Sequence, residues 1–260
     1  MQNLLFFKEN ILPKTSKIRI YIDLKDMEIG QTIKPSKEQA HYLLSVMRLA
    51  DGEKILIFNG LSGEFESQVC ISGKKDITLQ VIQKTKDFTS VPDVWLLFPP
   101  LKKDCTDFVI EKATELGVAK IVPVITRYTI AEKIKIQRWE SQAIEAAEQS
   151  RRVDIPQILP PQTLSELLSK WDKKRKLFFM DETGNGQNYN QALQKATSPI
   201  ALIVGPEGGF SDQELKTLRS CSFATGICLG PRILRAETAA IAALSCWQLT
   251  QGDWQKGDNQ

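Results

Sequence analysis

The stretch that decides the fold is IALIVGPEGGFSDQE, residues 200–214. It begins with five apolar residues in a row, which is typical of a strand buried on both faces of a parallel sheet. Gly205-Pro-Glu-Gly-Gly209 follows as a turn, and Ser211 with Glu214 forms a capping box that opens a helix. Ligands bind parallel sheets where strands run through such turns into helices, so these residues predict both an α/β domain and a binding site.

The same rhythm of strand and helix extends over the C-terminal two thirds of the chain. Apolar runs predict strands at 94–98, 120–126, 177–180 and 225–229, and apolar stripes or capping boxes predict helices from about 106, 138, 163 and 237. Strands that alternate with helices indicate a parallel sheet. We therefore predict an α/β domain over residues 91–255.

The chain has a different pattern before Val91-Pro92. Short strands are predicted at 19–23, 54–58, 65–71 and 77–82, separated by turn residues. A capping box at Ser36-Lys-Glu-Gln39 predicts one helix, which continues through Tyr42, Leu43, Val46 and Met47. Antiparallel strands with a single helix indicate a small β-barrel, and we assign it to residues 1–90.

Composition excludes several classes of protein. The 260 residues are 42% hydrophobic and 25% charged, which is typical of a globular chain rather than a disordered one. Lys and Arg exceed Asp and Glu by only 34 to 31, a net charge of +3, so any surface that binds nucleic acid has to be local.

Cysteine and histidine usage argues against a metal site. The five cysteines form no Cys-x-x-Cys pair and His41 is the single histidine, so no zinc-binding set is expected. An odd cysteine count excludes a complete disulfide framework and favours a reduced, cytoplasmic protein. The apolar run within residues 1–13 is too short for a signal segment or a membrane span, so we expect a soluble protein.

A second loop, LGPRILRAET at residues 229–238, also leaves a strand and enters a helix. Its two arginines and one glutamate could place charge at a reaction centre, or they could form a solvated helix start in which Glu237 favours the helix dipole. The two loops would be neighbours if their strands pair. No dinucleotide or P-loop glycine motif is present, which argues against those two classes of enzyme.

These two loops together resemble the ligand loops of SPOUT methyltransferases. Within that superfamily the chain resembles the 16S rRNA (uracil-N3)-methyltransferase family, RsmE. The resemblance rests on residues 202–209 and 229–238, on Lys112-Ala-Thr-Glu-Leu-Gly-Val118 and on Glu148-Gln-Ser-x-Arg152. His41, Val46-Met-Arg-Leu49 and Asp51-Gly52 are similar to the front domain of that family, so the resemblance covers nearly the whole chain.

The resemblance implies a fold and a reaction that spacing alone does not show. It implies a PUA-like barrel in front and a SPOUT α/β domain with a deep trefoil knot behind, although chains in general avoid knots. It also implies S-adenosylmethionine as cofactor and a homodimer built on the knotted domain. The expected reaction is methylation of N3 of one uridine (position 1498 in the usual RNA numbering) of 16S rRNA in the small ribosomal subunit.

The resemblance also implies which residues form the site. The cofactor is expected against Leu202, Gly205, Pro206, Glu207, Gly208, Leu229, Gly230, Pro231, Ile233 and Leu234. Arg235 is the first candidate for stabilising the negative charge that develops on uracil, and Arg232 is the second. Glu237 is expected to take the N3 proton or to orient Arg235. Candidate phosphate contacts are Arg19, His41, Arg48, Lys102 and Lys103.

The chain departs from the family pattern in several places, among them Tyr128 where a small residue is usual and Ala236 where threonine is frequent. Lys102-Lys-Asp-Cys105 stands where the family commonly has Lys/Arg-Gly-acid-Lys/Arg, a change that concerns RNA contact more than cofactor binding. Two alternative functions remain open: a SPOUT enzyme acting on another RNA such as tRNA, and a non-catalytic RNA-binding assembly factor. Calorimetry with S-adenosylmethionine would distinguish the non-catalytic assembly factor from the methyltransferases.

Overall fold

The computed structural model describes residues 18–73, 76–130, 134–196 and 199–255. The chain divides into two compact units, residues 1–89 and 90–260, which we call the N-terminal and C-terminal units. The apolar run within residues 1–13, which the sequence argues is neither a signal segment nor a membrane span, lies outside the described residues.

The N-terminal unit is built on one five-stranded sheet. Its elements are β1 (Arg19–Tyr21), β2 (Thr32–Ile33), α1 (Lys37–His41), β3 (Lys54–Phe58), β4 (Glu64–Gly73) and β5 (Asp76–Lys86). The strand order is β1-β3-β4-β5-β2. All neighbours are antiparallel except β1 and β3, which run parallel. The sheet is therefore mixed, and the expectation of purely antiparallel strands is wrong at β1.

The helix of this unit changes its winding after one turn. The capping box at Ser36 is present as predicted, but a π-helical turn over Tyr42–Val46 replaces the predicted continuation of the α-helix. The wider turn buries Leu43 completely and leaves Val46 at 60% exposure. The predicted apolar stripe through Leu43, Val46 and Met47 therefore does not face the core as one surface.

Arg19 has a structural role in this sheet. Its side chain is buried, its Nε donates to Glu64 Oε2 at 2.6 Å, and its guanidinium lies 3.7 Å from the centre of the Phe58 ring. A cation that is desolvated and paired in this way does not face an RNA phosphate. The prediction that Arg19 contacts phosphate is corrected on this ground.

The C-terminal unit is a parallel sheet that alternates with helices. Its elements are β6 (Val94–Phe98), α2 (Lys103–Glu115), β7 (Lys120–Ile125), α3 (Ile136–Ser150), β8 (Gln157–Ile158), β9 (Gln162–Thr163), α4 (Leu164–Ser169), β10 (Lys176–Met180), β11 (Gln187–Asn188), α5 (Tyr189–Lys195), β12 (Ile200–Ile203), α6 (Asp212–Ser220), β13 (Ala224–Cys228) and α7 (Ala236–Thr250). The strand order is β11-β13-β10-β12-β6-β7-β8, with β9 also paired to β7, and every pairing is parallel.

Both faces of this sheet are covered by helices. Residues that alternate along one strand belong to two hydrophobic clusters: Ile200 and Leu202 of β12 pack with α2, α3, α5 and α7, whereas Ala201 and Ile203 pack with α4 and α6. This arrangement explains why the central strands β6 and β12 are apolar at every position. The trefoil knot stays a prediction, because strand pairing does not trace how the chain threads.

None of the helices formed by the described residues combines the length and the apolar character that a membrane span requires.

Replacing Arg19 with methionine tests its structural role. Arg19→Met keeps the apolar stem but leaves the Glu64 carboxylate buried without its cation, which is expected to cost about 3 kcal/mol of unfolding free energy. Urea denaturation measures this loss. Lys25→Ala, at an exposed lysine of the same unit, should change stability by less than about 0.5 kcal/mol. Unchanged stability of Arg19→Met together with weaker RNA binding would restore the phosphate-contact assignment.

Candidate active site

Three parallel strands of the C-terminal unit end at one cavity. The two loops singled out by sequence follow β12 and β13, but these strands do not pair, because β10 lies between them. The expectation that the loops meet through paired strands is therefore wrong. They meet because β10, β12 and β13 all have their carboxyl ends on the same side of the sheet. The loop after β10 lines the cavity together with them.

The cavity has a volume of about 660 Å3, within the usual range for small-molecule sites. It is lined by Met180, Asp181, Glu182, Thr183, Gly184, Val204, Gly205, Pro206, Glu207, Gly209, Phe210, Ile227, Cys228, Leu229, Gly230, Pro231, Arg232, Ile233, Leu234, Arg235, Ala236 and Ala239. These residues include every predicted cofactor contact except Leu202 and Gly208, and both candidate arginines.

Two predicted cofactor contacts lie away from the cavity. The Leu202 side chain is fully buried and belongs to the hydrophobic core below the site. Gly208 faces Tyr128, since a Cβ built on this glycine would lie 3.1 Å from the Tyr128 Cβ. Leu202 shares its face of β12 with Val204, which lines the cavity, but lies deeper in the core, and Gly208 is on the side of the turn that faces Tyr128.

Glycine is required at two positions of these loops. Gly209 has a φ of +69° and closes a turn in which its N–H donates to the Pro206 carbonyl at 2.9 Å. Gly230 has a φ of +115°, and a Cβ built there would meet no heavy atom within 4 Å. The Gly230 backbone therefore borders open space, and a ligand in the cavity can approach its peptide groups closely.

The loop after β10 carries a buried carboxylate that sequence reasoning missed. The Thr183 hydroxyl (2.6 Å) and backbone N–H (3.0 Å) donate to Asp181 Oδ1, and Arg219 of α6 donates to Oδ2 at 2.8 Å. Burial raises the pKa of Asp181, but the hydrogen bonds from Thr183 and Arg219 outweigh it and the pKa is lowered overall. Asp181 is thus held ionised and fixes the loop as an Asx turn.

A sequence signal for this loop was available. Asp181-Glu-Thr-Gly184 directly follows an apolar strand, and Asp two residues before Thr is typical of an Asx turn. The neighbouring Thr183-Gly-Asn-Gly186 is too short and polar to replace a phosphate-binding glycine motif. The position of the segment at a strand end, rather than its likeness to a motif, was the informative feature.

The start of α7 brings charged groups together. Arg235 is the exposed N-cap residue of α7, and Glu237 is half-buried in its first turn without lining the cavity. Burial is the main cause of a raised pKa of the Cys105 thiol on α2, and the carboxylates of Glu237 and Glu207 raise this pKa further, whereas Arg235 lowers it. The first turns of α2 and α7 therefore lie side by side next to the cavity.

The walls combine apolar and acidic surface. Leu229 and Leu234 are half-buried against the core, as predicted for apolar walls, whereas Ile233 is 82% exposed at the rim. Glu182 and Glu207 place carboxylates along the same cavity. Such a site suits an organic ligand with apolar and cationic parts. Among the described residues, no group of three or more His, Cys, Asp or Glu side chains could hold a metal ion.

The remaining candidate RNA contacts are exposed. His41 and Arg48 lie on the surface of the N-terminal unit, and Arg48 has a φ of +54°, which is uncommon outside glycine. Lys102 and Lys103 lie at the start of α2 in the C-terminal unit. All four side chains are accessible to a phosphate, in contrast to Arg19.

Comparison with known proteins identifies the family. Residues 89–248 match a family model described as an RNA methyltransferase domain, and residues 35–82 match an RNA methyltransferase PUA domain. Ribosomal RNA small subunit methyltransferase E of Rickettsia conorii is 34% identical over 87% of this chain and 93% of its own. The chain belongs to the ribosomal RNA small subunit methyltransferase E family.

Solved structures agree with this assignment. The ribosomal RNA small subunit methyltransferase E of Neisseria gonorrhoeae, bound to S-adenosyl methionine, has a TM-score of 0.81 at 29% identity and covers 91% of this chain and 99% of its own. A Legionella pneumophila protein with bound cofactor SAM has a TM-score of 0.82 at 31% identity, covering 92% and 100%. The family and its SPOUT-like fold with a PUA domain are those inferred from the sequence.

The Asp181–Arg219 pair gives a pH-dependent prediction. Arg219→Met should lower stability at pH 7 by about 1–2 kcal/mol, because a buried carboxylate loses a partner that is itself partly exposed. The lowered pKa of Asp181 in the folded protein contributes stability above the unfolded value of about 3.9, and that contribution is lost as pH falls through the folded value. The deficit of the variant, which is its loss of unfolding free energy relative to the unchanged protein, should therefore become smaller below about pH 4.

Chemical denaturation at several pH values measures this deficit. Lys216→Met removes an exposed cation from the same helix and should show little deficit at any pH. A deficit of Arg219→Met that stays constant into the acid range would contradict the role of the ionised Asp181.

Proposed function

We propose that this protein transfers a methyl group from S-adenosylmethionine to N3 of a single uridine, at position 1498 in the usual numbering, of 16S rRNA in the small ribosomal subunit. The observation that carries the proposal is that the three loops after β10, β12 and β13 form one cavity in which Arg232 and Arg235 stand beside glycine-rich backbone. Membership of the family supports the reaction class, and the finer assignment of the base and atom rests on the resemblance.

The cavity fits the cofactor in charge as well as size. S-adenosylmethionine carries a sulfonium and an ammonium group, and the carboxylates of Glu182 and Glu207 line the space. The leucines Leu229 and Leu234 offer apolar surface to an adenine ring, while Gly230 leaves backbone groups accessible to it. When bound, the cofactor supplies an electrophilic methyl group.

The arginines of the second loop meet the electrostatic demand of the reaction. N3 of uracil becomes nucleophilic when its proton leaves, and negative charge then spreads to the two neighbouring carbonyl oxygens. A guanidinium held at the cavity stabilises that charge, and Arg235 is placed for this role at the N-cap of α7. Arg232 lines the same cavity and is the second candidate.

Glu237 suits an orienting role better than a proton-accepting one. A general base has to come within hydrogen-bond reach of the proton that it removes. Glu237 is half-buried beside Cys105 and does not line the cavity, whereas Arg235 does. We therefore assign Glu237 to positioning Arg235. The N3 proton passes to solvent water, and the guanidinium of Arg235 stabilises the deprotonated uracil.

The N-terminal unit supplies RNA binding in this proposal. N3 lies on the pairing edge of uracil, so the base has to be unpaired or flipped out before it reacts. The exposed His41 and Arg48 are its candidate phosphate contacts. A homodimer through the C-terminal unit and action in the cytoplasm, where ribosomal subunits are available, complete the proposal.

Substitution of Arg235 tests the catalytic assignment. Arg235→Ala should keep the affinity for S-adenosylmethionine within a few-fold, yet lower kcat by about 100-fold or more, because charge stabilisation in the transition state is lost. Calorimetry and a methyl-transfer assay with small ribosomal subunits measure the two effects. Full activity of Arg235→Ala would remove Arg235 from the mechanism, and Arg232→Ala would then be the informative variant.

Mapping the modified base tests the proposed substrate. A methyl group on N3 blocks base pairing, so reverse transcription of treated small-subunit rRNA should stop next to the modified uridine. The stop should appear in rRNA of a deletion strain after addition of the protein and S-adenosylmethionine, and should be absent without either. Methylation of tRNA instead, or no methylation with intact cofactor binding, would favour one of the alternative functions.

Binding of the RNA should depend steeply on salt. If several lysines and arginines contact phosphates, the logarithm of the binding constant falls linearly with the logarithm of salt concentration, by roughly one unit of slope per contact. Titration of labelled rRNA fragments at several salt concentrations gives that slope. A flat response would contradict the assignment of the N-terminal unit.

A further inference from the structure

A second cleft lies in the C-terminal unit between the start of α2 and the start of α3. It has a volume of about 200 Å3. Its lining residues are Pro100, Leu101, Lys103, Thr106, Asp107, Ile134, Lys135, Arg138 and Trp139. None of them lines the cavity described above, so this cleft is a separate site.

The floor of the cleft is apolar and preformed. Trp139 is 4% exposed and stacks on Phe98, with ring centres 5.6 Å apart and an interplanar angle of 13°. The Thr106 hydroxyl accepts from the Leu101 N–H and donates to the Leu101 carbonyl, both at 2.9 Å, which fixes the loop before α2. The cleft therefore has a fixed apolar floor, to which Trp139 contributes only the small exposed part of its ring.

The rim of the cleft is cationic. Lys103, Lys135 and Arg138 surround it, and the single carboxylate among the lining residues, Asp107, pairs with Arg138. The two lysines are exposed and leave an excess of positive charge at the opening. A flat apolar floor below a positive rim is complementary to a nucleotide, whose base is planar and whose phosphate is anionic.

The cleft is adjacent to the candidate active site along the same sheet edge. β6 pairs directly with β12, so the loop from β6 into α2 lies next to the loop from β12 that lines the cavity. Lys103 and Thr106 of α2 line the cleft, whereas Cys105, between them, contacts the charges of Glu237 and Arg235. The first turn of α2 therefore borders both spaces.

We propose that this cleft binds one unpaired nucleotide of the substrate RNA that flanks the target uridine. One edge of the base enters the cleft against Ile134 and the exposed part of Trp139, and the phosphate contacts Lys103 and Lys135. Holding a flanking nucleotide here keeps the strand unstacked while the target base occupies the neighbouring cavity. This inference rests on the proposed function, since it assumes an RNA substrate.

Steady-state methylation of small ribosomal subunits tests the cleft. Lys103→Ala and Lys135→Ala should each raise KM for the RNA about fivefold, as for a lost charge-assisted contact in a partly exposed site, with kcat and affinity for S-adenosylmethionine unchanged. Ile134→Gln makes the apolar wall polar without changing charge and should raise KM to a similar extent. The matched control is Lys173→Ala, an exposed lysine in the turn before β10 at the opposite edge of the sheet.

The pattern of outcomes separates the explanations. A rise in KM for the lysine variants with no change for Ile134→Gln would mean general electrostatic attraction and would overturn the nucleotide site. KM values equal to that of Lys173→Ala for all three variants would overturn it as well. Wild-type protein that binds S-adenosylmethionine but methylates no small-subunit rRNA would instead refute the proposed function.

Crosslinking locates the nucleotide directly. Substrate RNA with 4-thiouridine next to the target position should crosslink to peptides that contain residues 100–107 or 134–139, and Ile134→Gln should reduce the yield. Crosslinks confined to the N-terminal unit would contradict the proposal.

Discussion

The organisation of the active site depends on one constraint: the strands of the C-terminal sheet are covered by helices on both faces. A strand in that position has to be apolar at every residue, because no face of it meets water. In β10 and β12 the polar groups and glycines of the site come where the strands end: Asp181 directly follows β10, and Gly205 comes two residues after β12. The strand before Gly230, β13, is only partly buried and itself contains Thr225 and Gly226. Burial of the sheet thus favours placing the polar groups and glycines of the candidate site at the carboxyl ends of the strands.

This constraint explains which parts of the fold could be predicted. The capping boxes at Ser36, Thr163 and Ser211 are local patterns, and all three are present in the structure. The buried strands at 94–98 and 200–203 are recognisable from consecutive apolar residues for the same local reason. Strand order is not local. Nothing in residues 200–229 indicates that β10 pairs between β12 and β13, and the loop after β10 was missed with it.

The remaining differences arise where tertiary contacts outweigh local pattern. Arg19 has the sequence signature of a surface cation, but Glu64, 45 positions further along the chain, pairs with it and makes it part of the interior. The π-helical turn after α1 follows from the fit of Leu43 to the core rather than from helix propensity. Leu202 and Gly208 were assigned to the cofactor because they lie within the matching motifs. Membership of a motif places a residue near the site, but its depth in the core or its side of the turn decides what it contacts.

The departure from the family motif at the start of α2 affects both the cavity and the cleft, because this turn borders the two spaces. The family commonly has a basic residue at the position of Cys105 and glycine at the position of Lys103. The formal charge of the four residues 102–105 is unaltered by exchanging both, since one cation is lost and one is gained. The location of the charge is altered: position 105 borders Glu237 and Arg235, whereas position 103 lines the cleft floored by Trp139. The exchange removes a cation from beside Arg235, for which we propose the catalytic role, and adds one where we place the flanking phosphate. Relative to such a family member, this chain should therefore depend more on the cleft for binding RNA. The double variant Lys103→Gly, Cys105→Arg should reduce that dependence. In this background, Lys135→Ala should raise KM for the RNA less than it does in the unchanged chain.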